Sequence, residues 1–411
     1  MGEKIAEEIV KPVKAKYLLR DIIERHYKNA WDAKNRGDKV GWCASNFPQE
    51  ICETLGVPVV YPENQAAAIA AKGGGTEMCE HSEGNGYSND ICAYARVSLA
   101  YMDLKKCDQL DMPQPDFVLC CNNICNQMIK WYENIAKELN IPMILIDIPY
   151  NTEDETSDDR VKYIRAQFDD AIVRLEKITG KTFSQERFEE VMRISQESSK
   201  AWLKATEYTK YDPSPLNGFD LFNHMAVAVC ARGKQESVDA FQLLAKEYEQ
   251  AVKDGKSTYR GEQKHRVFFE GIACWPYLRH TLTTLMQYNM NMVGTVYAEA
   301  FGVIYSNVDE MMKAYSHVPN AISFDRALKM RVDAVKKNHC DGAVIHINRS
   351  CKLWSGFMYE LSKRIGEETG IPTVTFDGDQ ADPRNFSKAQ YDTRIQGLYE
   401  VMEANKKGGD K

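Results

Sequence analysis

Three cysteines stand where a helix is expected to begin: Cys92 opening CAYAR, Cys125 in NNICNQM and Cys351 in NRSCKL. A helix N-terminus carries unpaired N–H groups and the positive end of the dipole, which favours thiolate over thiol. Three thiolates from separate strand-to-helix turns suit an iron–sulfur cluster or a zinc ion. The signal is positional, because the spacing is not a ferredoxin run and no two cysteines form C-x-x-C. Cys120 and Cys121 fall within a strand and read as packing, one toward each face, with Cys121 an alternate ligand. Ser45 and Glu63 end two earlier strands, on the same carboxyl rim as the cysteines. They also fit plain roles: Ser45 capping a helix that starts near Pro48, and Glu63 in the first turn of its own helix.

The elements that would position these groups follow an α/β pattern. Residues 13–38 read as a helix, followed by an apolar strand from Val40 that ends in Cys43-Ala44-Ser45-Asn46. Pro48 opens a helix, Val57–Tyr61 form a second strand, and an Ala-rich helix after Glu63 stops at Gly73-Gly74-Gly75. Cys92 starts another helix, the run from Phe117 is a third strand that turns at Asn122-Asn123, and Ile141–Asp147 is a fourth. Short apolar strands alternating with helices argue for a parallel sheet with helices on its faces. From 152 to about 262 the strand signals stop, and 158–179, 185–208, 219–232 and 236–254 read as helices. Strands then resume at Arg266–Glu270, Met292–Tyr297, Gly342–Ile347 and Ile371–Asp377.

The second half echoes the first. Asn122-Asn-Ile-Cys125 matches Asn348-Arg-Ser-Cys351 at an offset of 351 − 125 = 226, and Ile141-Pro matches Ile371-Pro at 371 − 141 = 230. The expectation is a duplicated α/β architecture: two similar, Rossmann-like domains, each a short parallel four-stranded sheet flanked by helices. Residues 1–151 would form the first domain with its N-terminal helix, 152–262 a helical connecting segment, and 263–411 the second domain. Facing domains would bring Cys125 and Cys351 to a common cleft.

Composition narrows the function. The 411 residues carry a net charge of −7, so the chain has no basic footprint for nucleic acid. No stretch approaches the roughly 18 to 20 apolar residues of a membrane helix. The start, MGEKIAEEIVKPVKAKY, lacks the apolar core of a signal peptide and fails the myristoylation pattern at Ala6. The expectation is a cytoplasmic chain, where structural disulfides are rare and twelve cysteines need another explanation.

CAYAR at 92–96, CCNNICNQMIKWYEN at 120–134, NRSCKL at 348–353 and FDGDQADPR at 376–384 resemble the 2-hydroxyacyl-CoA dehydratases, radical enzymes of amino-acid-fermenting anaerobes related to the benzoyl-CoA reductases. The resemblance covers nearly the whole chain. It is strongest to the larger, substrate-binding subunit of aryllactyl-CoA (phenyllactyl-CoA) and 2-hydroxyisocaproyl-CoA dehydratases. It implies a [4Fe-4S] cluster held by Cys92, Cys125 and Cys351, with the fourth iron position open to water or substrate. The implied reaction takes a 2-hydroxyacyl-CoA through a ketyl radical to the (E)-2-enoyl-CoA with no net redox change. The Ser of GWCAS and the Glu of PEN, here Ser45 and Glu63, are implied to contact the substrate carbonyl and hydroxyl. Glu63 would take the C3 proton or protonate the departing hydroxyl. A homologous second subunit and an ATP-dependent [4Fe-4S] activator are implied as partners. The chain itself has no G-x-x-x-x-G-K-[ST] segment. Rival expectations are an aromatic acyl-CoA reductase subunit of the same family, a non-catalytic electron-transfer subunit, and a zinc site.

Other features read as structural. Asp377, Asp379 and Asp382 miss the EF-hand spacing and read as a polar turn, Gly73–Gly75 as a helix stop, and His346 as a core histidine. Arg279 and His280 would stand at the rim of the second half, and Arg260, Lys264 and Arg266 are candidates for the coenzyme A phosphates.

Overall fold

The computed structural model describes residues 14–409. Position 13 of the expected first helix, and most of the segment read for a signal peptide, lie outside them. The first part of the chain runs α1 (Ala15–Asn35), β1 (Gly41–Cys43), α2 (Glu50–Leu55), β2 (Val59–Val60), α3 (Pro62–Ala71), α4 (Gly75–Gly84), α5 (Ala93–Leu104), β3 (Phe117–Cys121), α6 (Gln127–Glu138) and β4 (Met143–Ile146). Four helices follow, α7 (Asp158–Thr179), α8 (Gln185–Thr206), α9 (Phe219–Cys230) and α10 (Gln235–Lys253). The remainder is β5 (His265–Glu270), α11 (Leu278–Gln287), β6 (Met290–Gly294), α12 (Val296–Glu299), α13 (Val308–Tyr315), α14 (Phe324–Lys337), β7 (Gly342–Asn348), α15 (Lys352–Thr369), β8 (Thr373–Gly378) and α16 (Lys388–Gly409).

Two parallel four-stranded sheets result, ordered β2-β1-β3-β4 and β6-β5-β7-β8. The order is the same in both, with the first strand of each sheet flanked by its second and third. The chain therefore leaves β1 and β5 in one direction and later returns on the other side, which makes a topological switch point at β1/β3 and another at β5/β7. Ligands of open α/β sheets bind beyond the carboxyl ends of strands at such points. Parallel strands covered on both faces are apolar throughout, and all five residues of β3 are buried. The polar members of β5 are buried as well and paired: Arg331 donates to Glu270 at 2.8 and 3.1 Å.

Several boundaries differ from the sequence reading. Gly73 stops α3 at φ +89, as expected, but a further helix, α4, begins two residues later. Gly75 is required there because a Cβ would meet the carbonyl oxygen of Ala381 at 2.0 Å. β6 ends at Gly294, so the expected strand over Met292–Tyr297 is displaced, and Tyr297 belongs to α12. Pairing with β5 stops at Gly294 after a register shift, and that removes the ladder a longer strand would need. The helical run α7–α10 joins the two sheets physically: Gln49 reaches the carbonyl of Val229 at 2.8 Å, and Trp202 that of Ala298 at 3.0 Å.

Candidate functional site

The carboxyl ends of both sheets face a cavity of about 920 Å³, counting the part that opens to solvent. Cys92, Cys125, Cys351, Ser45 and Glu63 all line it. Its remaining wall is mostly apolar, with Ile124, Met128, Trp131, Phe301 and Trp354. The sequence places these five residues on one rim, and the fold brings them to one space.

Cys92 and Cys351 are the N-cap residues of α5 and α15, and Cys125 lies two residues before α6. Nearby backbone N–H groups of the first helical turns favour the charged sulfur, those of Tyr94 and Ala95 at Cys92, Gln127 and Met128 at Cys125 and Trp354 at Cys351, although neither Cys92 nor Cys351 closes a side-chain cap hydrogen bond. The expected thiolates do not follow from these alone. Burial outweighs the helix ends and pushes all three thiols up, Cys92 to about 12, with the neighbouring cysteines adding to the shift at Cys92 and Cys351. Three half-buried thiols of this kind give up their protons when a cation offsets the desolvation, which is the donor chemistry of an iron–sulfur or zinc group. Among the described residues no three His, Cys, Asp or Glu groups are gathered tightly enough to hold one metal ion. Cys120 and Cys121 are fully buried in β3 and are not part of the cavity wall. Packing accounts for both.

Ser45 and Glu63 meet each other. The Ser45 backbone N–H donates to Glu63 Oε1 at 2.9 Å, and the Tyr132 hydroxyl donates to Oε2 at 3.1 Å. Ser45 does not cap α2, which starts at Glu50 behind Gln49. Glu63 does occupy the first turn of α3, yet its carboxyl bridges β1 and α6 across the site. Burial raises the Glu63 carboxyl above its ordinary range, and the Ser45 and Tyr132 donors pull it part of the way back. From below, buried Arg232 donates to the carbonyl oxygen of Ser45 and, at 2.5 Å, to Tyr315 Oη. Tyr315 and Tyr305 donate in turn to Glu50 at 2.9 and 2.7 Å. Tyr132, Arg232 and Gln380, which contacts Cys92, escaped the sequence reading. Only Tyr132 left a signal there, seven residues after Cys125 (132 − 125 = 7) and so on the same helical face.

Arg266 requires a correction. Its guanidinium is buried and donates to the carbonyls of Thr209, Tyr211 and Asn338 at 2.7–3.0 Å, so it holds structure together and is not free for phosphate. Arg260 and Lys264 precede β5, at the end of the sheet opposite the cysteines. Arg279 is exposed in the first turn of α11, beside Leu278, which lines a second cavity. That cavity, about 720 Å³, also meets Ser45, Glu63, Tyr94 and Tyr297. His280 pairs with Asp392 at 2.9 Å. His346 packs in the core, stacked on Phe376. Of the expected polar turn, Asp379 accepts backbone N–H groups and Asp382 pairs with Arg96 and Arg384, whereas Asp377 lies within β8 and pairs with Arg349 at 2.6 Å.

A duplicated α/β protein with a sulfur-lined cavity between its sheets, and a buried carboxyl in the wall, is the class these features define. The chain matches the family described as 2-hydroxyglutaryl-CoA dehydratase, D-component, over residues 44–402, and it belongs to that family. It is 70% identical to the (R)-phenyllactyl-CoA dehydratase alpha subunit of Clostridium sporogenes, over 97% of this chain and 98% of that one. It is 52% identical to the (R)-2-hydroxyisocaproyl-CoA dehydratase alpha subunit of Clostridioides difficile, covering 96% and 97%. It is 46% identical to the (R)-2-hydroxyglutaryl-CoA dehydratase subunit alpha of Acidaminococcus fermentans, covering 95% and 98%. Among the described residues no helix is long and apolar enough to cross a membrane.

Proposed function

We propose that the chain is the cluster-bearing, substrate-binding subunit of an (R)-2-hydroxyacyl-CoA dehydratase, a hydro-lyase that removes water from 2-hydroxyacyl-CoA to give (E)-2-enoyl-CoA. The observation that carries this is the single cavity holding Cys92, Cys125 and Cys351 together with the Ser45–Glu63 pair. A [4Fe-4S] cluster held by the three cysteines would supply one-electron chemistry and, at an iron lacking a protein ligand, a Lewis acid.

The remaining roles belong to this chain's own side chains. The water that leaves is assembled from the C2 hydroxyl and a C3 proton, so a group beside both must carry a proton. Glu63 fits, since burial raises its carboxyl and so favours its taking up a proton. The Ser45 hydroxyl orients the substrate oxygen, and the Tyr132 hydroxyl and Ser45 N–H keep the Glu63 carboxyl in place. The apolar wall excludes water and offers Trp131, Trp354 and Phe301 to an aryl or branched acyl group. The 70% identity to a phenyllactyl-CoA dehydratase alpha subunit favours the aryl group. The relatives are alpha subunits, so the assembly includes a homologous second subunit, and an ATP-dependent [4Fe-4S] activator delivers the starting electron. Residues 1–151, 152–262 and 263–411 serve as first domain, connecting segment and second domain, in a cytoplasmic enzyme of amino-acid fermentation.

The test is anaerobic reconstitution with iron and sulfide, followed by titration with (R)-phenyllactyl-CoA. The expected result is uptake of iron and sulfide, a spectral change on adding substrate, and cinnamoyl-CoA produced with only catalytic reductant by the activated complex. A spectrum indifferent to substrate would remove the catalytic assignment and leave an electron-transfer role. Stoichiometric consumption of reductant would point to a reductase.

A further inference from the structure

The loop after β8 brings one side chain to the cysteine site that neither the proposed chemistry nor the sequence reading uses. Gln380 is fully buried and lines the cavity. Its side-chain nitrogen donates to Cys92 Sγ at 3.1 Å. A thiolate only accepts hydrogen bonds, so the amide nitrogen, and not the oxygen, must face the sulfur. The amide oxygen then stands without a hydrogen-bond partner among the described residues. An unpaired buried acceptor is costly, and packing alone does not account for one in the wall of a cavity.

The backbone around Gln380 is fixed. Asp379 accepts from the N–H groups of Ala381 and Asp382 at 2.9 and 3.1 Å. Its other oxygen accepts from the N–H of Ser350 at 3.2 Å and the side chain of Asn385 at 3.1 Å. The Ser350 hydroxyl in turn accepts from the N–H of Ala93, the residue after Cys92, at 3.0 Å. One carboxylate and one hydroxyl thus tie the Gln380 loop, the turn before Cys351 and the start of the Cys92 helix into a single frame. The amide reaches Cys92 from a held position.

We propose that Gln380 is a positioning residue that sets the reduction potential of the group held by the cysteines, through its N–H donated to the Cys92 sulfur. A hydrogen bond to a ligand sulfur stabilises the more negative, reduced state and raises the potential. The inference rests on the reading of Cys92, Cys125 and Cys351 as cluster ligands. The unpaired oxygen, on the same amide, is left to accept from a hydroxyl or water that enters the cavity.

The test uses the full-length chain in its assembled, reconstituted complex, as wild type, Gln380→Leu and Gln380→Glu. Iron and sulfide content is measured first, then the midpoint potential by a redox titration followed by electron paramagnetic resonance. Gln380→Leu is expected to load fully and to make reduction about tenfold less favourable, roughly 59 mV lower for one electron. Gln380→Glu keeps the shape, exchanges the donor for an anion and lowers the potential further. Full loading with an unchanged potential in both variants overturns the proposal. So does loss of the cluster from both, which would make Gln380 a structural clamp. A wild-type chain that takes up no iron or sulfide overturns the cluster reading itself, and this inference with it.

Discussion

Tyr132→Phe tests whether Glu63 carries the proton. Wild-type Glu63 is raised by burial and partly restored by two donors, the Ser45 N–H at 2.9 Å and the Tyr132 hydroxyl at 3.1 Å. The substitution removes one donor to the charged form and leaves the ring in place. A hydrogen bond to a charged group is worth about 1.5–3 kcal/mol, and the long Tyr132 contact belongs at the lower end. At about 1.36 kcal/mol for each tenfold change in protonation, the carboxyl should hold its proton to a pH about one unit higher. The assay is kcat/KM against pH for the activated, anaerobic complex. The acidic limb is expected to move up by about one unit while the plateau above it is largely kept. Stability gives a second readout. A carboxyl raised on folding binds more protons in the native state, so its contribution declines as pH rises from the unfolded carboxylate range through the raised value. Urea unfolding across that window should show a steeper decline in the variant. An acidic limb that stays in place or moves down, in a folded and loaded variant, refutes the assignment of the proton to Glu63.

Three further outcomes separate site from scaffold. Cys125→Ala should lose iron and sulfide with little change in urea unfolding, whereas Cys121→Ala should keep both and lose about 1 kcal/mol of stability, read by metal analysis and urea titration. Arg266→Met leaves three carbonyls without their donor, so it should cost about 3 kcal/mol or more while KM for the acyl-CoA stays unchanged. Asp382→Asn strips a buried Arg96 of one partner and should cost about 3–5 kcal/mol. Hydrogen bonding from Arg384 and the nearby cations hold Asp382 below its ordinary range despite burial, so wild-type stability from this pair is lost as pH falls through the depressed value, and the asparagine variant should lose that acid dependence.

What the sequence makes legible follows from how local the cause is. The helix over 158–179 is recovered with its exact ends because both are local: Asp158 and Asp159 stand in its first turn, and Gly180 closes it at φ +69. The strands are less well bounded, since a strand ends where its neighbour stops pairing. β2 keeps only Val59 and Val60 of an expected five residues, and β6 ends three short of Tyr297. Arg266 is the opposite case. In the chain it is a cation near two others, and its role is fixed by carbonyls contributed by residues 209, 211 and 338. The cysteines are visible because each stands at or just before the start of a helix. Gln380 is not, because nothing about a glutamine in FDGDQADPR shows that it will reach a sulfur 288 residues away (380 − 92 = 288).

The duplication also explains how one cavity comes to hold two kinds of chemistry. Cys125 and Cys351 follow equivalent strands, β3 and β7, in the same symmetric order, and both line the cavity. The residues after the other strands break that symmetry. Ser45 lies two residues beyond β1 (45 − 43 = 2), and its counterpart two beyond β5 is Ile272 (272 − 270 = 2). Glu63 lies three beyond β2 (63 − 60 = 3), and its counterpart three beyond β6 is Tyr297 (297 − 294 = 3). All four line the same cavity. The first half therefore contributes a hydroxyl and a carboxyl at positions where the second contributes an aliphatic group and a phenol. A symmetric pair of sulfurs can hold a cofactor between two like domains, but a proton must leave one carbon and not its neighbour. If Glu63 carries the proton, as proposed, the only carboxyl of these four positions sets the direction of the substrate, and exchanging Glu63 and Tyr297 should abolish turnover while leaving iron uptake intact.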